Sequence, residues 1–157
     1  MMSFHPKDDG LTHINIYSRA NTDLGKALSN FSHLPIEHPK YGRFESIEGF
    51  WYWVSTGKQQ DILRTFYGIM AKKEGLTYPK IHSDTFMDEI KEAIKLKIEQ
   101  HPKLKQALIE STLPFTHYYY YGTIDNCKIV DQEKQQWLAE YFNELRNSYN
   151  QGELNDS

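Results

Sequence analysis

The sequence predicts a mainly helical α+β domain carrying two small β elements, near residues 13–17 and 115–130. Three observations lead there. Apolar residues recur at helical spacing over residues 59–73, 86–98 and 137–145. Runs with strand character are short and occur near the two ends of the chain. Strands do not alternate with helices, which excludes the parallel sheet of a dinucleotide-type fold.

The elements follow in order. His13-Ile14-Asn15-Ile16-Tyr17 alternates and carries β-branched residues, so it reads as a short strand. Residues 18–47 hold Gly25, Pro35, Pro39 and Gly42 and little periodicity, which predicts a long irregular region of the kind that is usually functional or disordered. EGFWYWV, from Glu48, reads as a helix, although its composition also suits a strand. Over residues 59–73, Ile62, Leu63, Phe66, Ile69 and Met70 predict one helix, stopped at Gly75. Ser83 is placed to cap the next, with Phe86, Ile90, Ile94 and Ile98 on one stripe. His101-Pro102 interrupts it, because a residue before proline avoids the helical region. Pro102 then suits the first turn of a short helix carrying Leu104 and Leu108. Phe115–Tyr121 reads as a strand, Asp125-Asn126 as a turn and Cys127–Val130 as a return strand. Asp131 is placed to cap a last helix with Trp137, Leu138, Tyr141, Phe142 and Leu145 on its apolar face. The domain spans residues 11–149, between polar ends, 1–10 and 150–157, that are expected to be flexible.

Composition narrows the function classes. The 157 residues suit one domain, and 39% hydrophobic against 25% charged residues supports a packed core. The 11 Tyr, 8 Phe and 3 Trp suggest either a core built of rings or a cleft lined with them. A mean hydropathy of −0.70 and the lack of a long apolar run predict no membrane span. The opening MMSFHPKDDG is polar, so no secretory signal is expected. A lone Cys127 leaves no internal disulfide, and a cytoplasmic location fits best. A net charge of −3 gives no global steering toward nucleic acid. The phosphate loops GxxxxGK[ST] and GxGxxG, the GxSxG elbow and HExxH are all missing, and the seven histidines are scattered. No metal and no cofactor is expected.

One ordered set of short motifs stands out: Asn15-Ile16-Tyr17-Ser18, Ser29-Asn30-Phe31, Pro35-Ile36 and Ser46-Ile47-Glu48-Gly49-Phe50-Trp51. Met70-Ala71-Lys72-Lys73-Glu74-Gly75 and the stretch from Ala93 to Thr112 extend it. In this order the chain resembles the NADAR/YbiA family over roughly residues 14–122, with weaker agreement to Arg146. The resemblance implies a helical domain of the YbiA-like type. It also implies cleavage of an N-glycosidic bond at the anomeric carbon of a ribose. Family members are linked to removing ADP-ribose from guanine and to breaking down phosphoribosylated intermediates of riboflavin synthesis. The implied partner is therefore an ADP-ribose-type or phosphoribosyl nucleotide, with ADP-ribosylated nucleic acid as the larger alternative. Oligomeric state stays open.

The departures from the family pattern are local. Gly49 stands where the family has His after the glutamate, and Ser55 stands at its Lys, with Lys58 three residues on. Tyr121-Gly122 replaces a late Trp-Gly. TIDNCKIVDQEKQQ replaces a Gly-rich, Asn-containing stretch, with Gln136 near the Asn position and Ala139 near a Gly.

The chemistry of the residues can be argued on its own. Departure of a base from C1′ builds positive charge on the sugar, and a nearby carboxylate both stabilises it and takes a proton from water. Glu48 follows the irregular region and opens the aromatic segment, where exclusion of water raises a carboxyl pKa. Its structural alternative is a helix-start glutamate favoured by the dipole. Asn30 suits a ribose hydroxyl, a base edge or a loop cap. Ser29 suits a phosphate or a cap. Phe31, Phe50 and Trp51 offer rings for stacking a base or for core packing. Tyr121 with Gly122 is placed to border a cleft. Glu45, if it shared a helical turn with Glu48, would raise one of the two pKa values, and otherwise reads as a surface acid. Two other readings stand beside the enzyme: a catalytically silent nucleotide or ADP-ribose binder, motivated by the departures, and a protein-interaction module using exposed aromatics.

Overall fold

The computed structural model describes residues 4–156, with side chains described as far as Gly152. The mainly helical α+β class holds. Among the described residues are six helices and six short strands, arranged as three two-stranded sheets. The span drawn from the sequence as 11–149 packs as two compact units, cut after Ser29 and before Gln106.

The first unit joins the start of the chain to its last third. Strand β1 (Ile14–Asn15) runs parallel to β4 (Phe115–Thr116), with Ile14 opposite Phe115. The buried Asn15 amide fastens this pair. Its Nδ2 donates to the Tyr118 carbonyl at 2.9 Å, and its Oδ1 accepts from the Tyr118 N–H at 3.0 Å. The Asn15 N–H donates to Asp9 Oδ1, and the Asn21 N–H to Asp9 Oδ2, both at 2.9 Å. Asp9 is thereby buried behind a 3-10 turn, Pro6–Asp8. Structure therefore begins earlier than expected, although residues 1–3 of the polar start lie outside the described residues.

Helix α1 (Asp23–Leu28) occupies part of the region read as irregular. Thr22 Oγ1 caps it by accepting from the Gly25 N–H at 2.9 Å. Gly25 has a steric reason: a Cβ there would sit 2.2 Å from the Asn15 carbonyl oxygen. Strands β5 (Tyr118–Thr123) and β6 (Asn126–Asp131) form an antiparallel hairpin, Tyr118 opposite Asp131. Asp131 therefore ends a strand rather than capping a helix. A 3-10 turn, Glu133–Gln135, intervenes before α6 (Gln136–Asp156), which buries Leu138, Phe142 and Leu145. This helix continues through most of the tail expected to be flexible, and Ser157 lies outside the described residues.

The second unit opens with a hairpin, β2 (Ile36–His38) against β3 (Gly42–Phe44), also inside the supposed irregular region. Helix α2 (Ile47–Ser55) follows, as the sequence predicts. Phe44, Phe50 and Trp53 make the aromatic core. Phe44 meets Phe50 edge-on at 4.9 Å and Trp53 at 5.0 Å. The Arg64 guanidinium lies over Phe44 at 4.4 Å and over Trp53 at 4.7 Å.

The single helix expected over residues 59–73 is two pieces: a 3-10 turn, Asp61–Thr65, and α3 (Gly68–Gly75). Extended backbone at Phe66 and Tyr67 and the positive φ of Gly68, 60°, separate them. Gly75 ends α3, but its need for glycine is close packing, since a Cβ would lie 2.1 Å from the Tyr52 ring. Gly75→Ala is expected to destabilise the protein by about 2–4 kcal/mol, read as a lower urea midpoint. An unchanged midpoint would mean that α2 and α3 can part freely.

Helix α4 (Phe86–Gln100) buries Ile90, Ile94 and Ile98 as expected. Its cap residue is Thr85 rather than Ser83, with no side-chain cap bond. His101 ends α4 as its C-terminal cap residue, and α5 (Pro102–Glu110) begins at Pro102.

Candidate active site

Helix α2 is started by Ser46. Its Oγ accepts from the Gly49 N–H at 3.0 Å and donates to the Phe66 carbonyl at 2.9 Å. This fixes the first turn of α2 against the segment leading into α3, and Glu48 sits in that turn. The Glu48 N–H donates to the Asn30 carbonyl at 2.9 Å. Its carboxyl is half-buried and has no hydrogen-bond partner among the described residues. Burial pushes its pKa up to about 7, against the opposing pull of the Lys72 ammonium on α3. A carboxyl of this kind exchanges a proton near neutral pH and is not committed to a structural bond.

The four residues 30–33 organise the surroundings. Asn30 holds the backbone of Glu48, and its Oδ1 is a buried acceptor with no partner. An unfilled buried acceptor is costly in a finished core, and it suits a ligand donor such as a sugar hydroxyl. The Phe31 carbonyl approaches α3, 3.8 Å from where a Cβ on Gly68 would be. Ser32 Oγ accepts from Lys97 Nζ at 2.8 Å. Lys97 is only 2% exposed, and burial pushes its ammonium down to about 7. The His33 ring stacks on Tyr67, centroids 4.1 Å apart and planes 2° from parallel.

Glu45 takes no part in the first turn of α2. It precedes the cap residue Ser46 instead of sharing a turn of α2 with Glu48. Its Oε2 accepts from Arg43 Nε at 2.7 Å, and its Oε1 lies 2.9 Å from His33 Nε2. The Arg43 guanidinium first, and then His33, hold this carboxyl below the usual carboxylate range. It is a paired anion and not the source of the Glu48 shift.

The structure brings together Glu48 and Asn30, with Phe31 next in the chain. Trp51 is half-buried and meets Phe86 edge-on at 4.9 Å. Phe50 is a correction. It is 0% exposed, packed between Phe44 and His38, and cannot receive a base without opening the core. Ser29 is buried as the C-terminal cap residue of α1. Tyr121 is 57% exposed on β5, and Gly122 beside it has a φ of 92° that glycine tolerates; both belong to the first unit. Lys58 is tied to Glu89 at 2.7 Å and to the Tyr41 hydroxyl at 2.9 Å.

The His33–Tyr67 stack had no counterpart in the expectations, and no short motif marks it. The burial of Lys97 was legible in principle. It lies three residues after Ile94 and four after Ala93, on the buried stripe of α4. Among the described residues, no three His, Cys, Asp or Glu side chains gather as a metal site, and no helix is long and apolar enough to cross a membrane.

No protein-family model and no curated protein matches the chain. Among solved structures it is similar to the NMR structure of the Escherichia coli protein YbiA, with a TM-score of 0.66 and 19% identity. The match covers 97% of this chain and 90% of that one. The fold is therefore YbiA-like over essentially its whole length. That agrees with the fold implied by the sequence resemblance.

Proposed function

We propose that this protein is an N-glycosidase that hydrolyses the bond between C1′ of a ribose and a nitrogenous base. The carrying observation is the Glu48 carboxyl, half-buried, unpartnered and titrating near neutrality. The C1′–N bond breaks with its electron pair leaving on the base, and a water oxygen bonds to C1′. Glu48 takes the proton of that water and passes one proton on to the departing nitrogen. Its negative charge also stabilises the positive charge on the sugar. The unfilled Asn30 Oδ1 accepts from a sugar hydroxyl, and Lys72 favours an anionic substrate. The YbiA-like fold and the ordered motifs support this reading. They make ADP-ribosylated guanine or a phosphoribosylated pyrimidine the substrate to try first, in a cytoplasmic setting.

The test is incubation with guanine-ADP-ribosylated oligonucleotides and with phosphoribosylated pyrimidines, read by mass spectrometry. Release of ADP-ribose or ribose 5-phosphate is the expected result, and silence from folded protein on both substrates would sink the proposal. Because Glu48 must be ionised to take the proton, kcat/KM is expected to rise tenfold per pH unit below about pH 7 and to level above it. A flat profile from pH 5 to 8 would remove Glu48 from that role.

A second reading, a silent nucleotide binder, has one observation in its favour. At Gly49 a Cβ would come 2.4 Å from the Leu63 carbonyl oxygen, so no side chain fits at the family's histidine position. That reading predicts ADP-ribose binding without turnover.

A further inference from the structure

The ring pair His33–Tyr67 is built like a binding surface rather than a core. Its planes are nearly parallel at 4.1 Å, yet Tyr67 is 49% exposed and the His33 side chain 46%. One face of each ring is spent on the other, and much of the remainder meets water. Rings left this exposed contribute little to folding.

The pair is also held in place. Glu45 grips the His33 Nε2 edge at 2.9 Å and is itself gripped by Arg43 at 2.7 Å. Tyr67 directly precedes Gly68, the first residue of α3. A surface whose geometry exists before binding loses less entropy when a flat ligand is added. The same chain segment ties it to the acid: Asn30 holds Glu48, and His33, three residues on, carries the stack.

We propose that His33 and Tyr67 form a stacking platform for a nucleobase carried by the substrate, and so set its preference for base-bearing over base-free ribose phosphates. This deepens the glycosidase reading and rests on it for the identity of the substrate. The platform itself needs only a planar π-face, and a nucleobase adds one to the stack at van der Waals distance.

The experiment is calorimetric titration of the wild type, His33→Ala, Tyr67→Ala and Tyr67→Phe. The probes are ADP-ribose, which carries a base, and ribose 5-phosphate, which does not. Turnover is assayed separately. Losing one stacked ring is expected to weaken ADP-ribose about 5- to 30-fold in both alanine variants. Ribose 5-phosphate should be unchanged, and Tyr67→Phe should keep the wild-type affinity. Equal weakening of both probes, or of neither, overturns the platform, as does failure of the wild type to bind ADP-ribose. Absent turnover alongside base-selective binding lost in the alanine variants keeps the platform and sinks the glycosidase. Turnover with unselective binding does the reverse.

Discussion

Replacing Glu48 with Gln is expected to lower kcat/KM by roughly 10³-fold or more while the protein stays folded. The size follows from the two roles the carboxylate combines. Loss of a general base alone costs about 10²- to 10⁴-fold. Loss of the negative charge facing the developing cation adds to it. The protein stays folded because the carboxyl holds nothing in place: the α2 turn is fixed by the Ser46 cap and by the backbone bond from Glu48 to Asn30, neither of which uses the Glu48 side chain. Binding of the product ADP-ribose is expected to survive, since Gln matches Glu in shape. Product formation by Glu48→Gln at the wild-type rate would show that another group does the chemistry.

Glu48, the acid of the candidate site, stands out in the sequence because it lies inside a contiguous motif. Glu48 opens α2 two residues after the cap Ser46. What the motif does not reveal is how Asn30 serves it. Their link is a backbone bond between residues 18 positions apart, and such a bond leaves no side-chain signature. Phe50 and Trp51 are indistinguishable in composition. The helical period separates them, turning Phe50 in with Trp53 and Val54 and leaving Trp51 half-buried.

Helices with long apolar stripes, α4 and α6, appear at nearly their expected places. The elements missed are short. Helix α1 has six residues and holds Gly25 mid-helix, where a residue poor in helix propensity is retained to admit the Asn15 carbonyl. The β2–β3 hairpin has three residues a side, too few for alternation to register. The parallel pairing of Ile14 with Phe115 joins residues 101 positions apart, and nothing local encodes it.

Glu48 and Lys97, both set against residues 30–33, each cost stability through burial, but their costs change with pH in opposite directions. Glu48 has a folded pKa of about 7, above its ordinary 4.5, so the folded state holds its proton more tightly than the unfolded one. Its presence therefore costs nothing below pH 4.5 and progressively more up to pH 7, and the cost is constant above. Lys97 is the reverse. Its folded pKa of about 7 lies below its ordinary 10.5, so the unfolded state binds the proton more tightly. Its cost is full below pH 7 and fades as pH rises toward 10.5. Glu48→Gln is thus expected to gain about 1–3 kcal/mol over the wild type at pH 8 and almost nothing at pH 4.5. Lys97→Met should gain about 1–4 kcal/mol at pH 6, offset by the lost bond to Ser32, with the gain shrinking by pH 10. Urea midpoints of each variant against the wild type at pH 4.5, 6, 8 and 10 decide it, and differencing cancels every other titrating group. A Glu48→Gln gain that is the same at every pH would mean that the carboxyl is well solvated, which would leave Glu48 too acidic to exchange protons near neutrality. A Lys97→Met loss at pH 6 would mean that the ammonium is held by partners strong enough to keep it charged in the core, as a fixed structural cation.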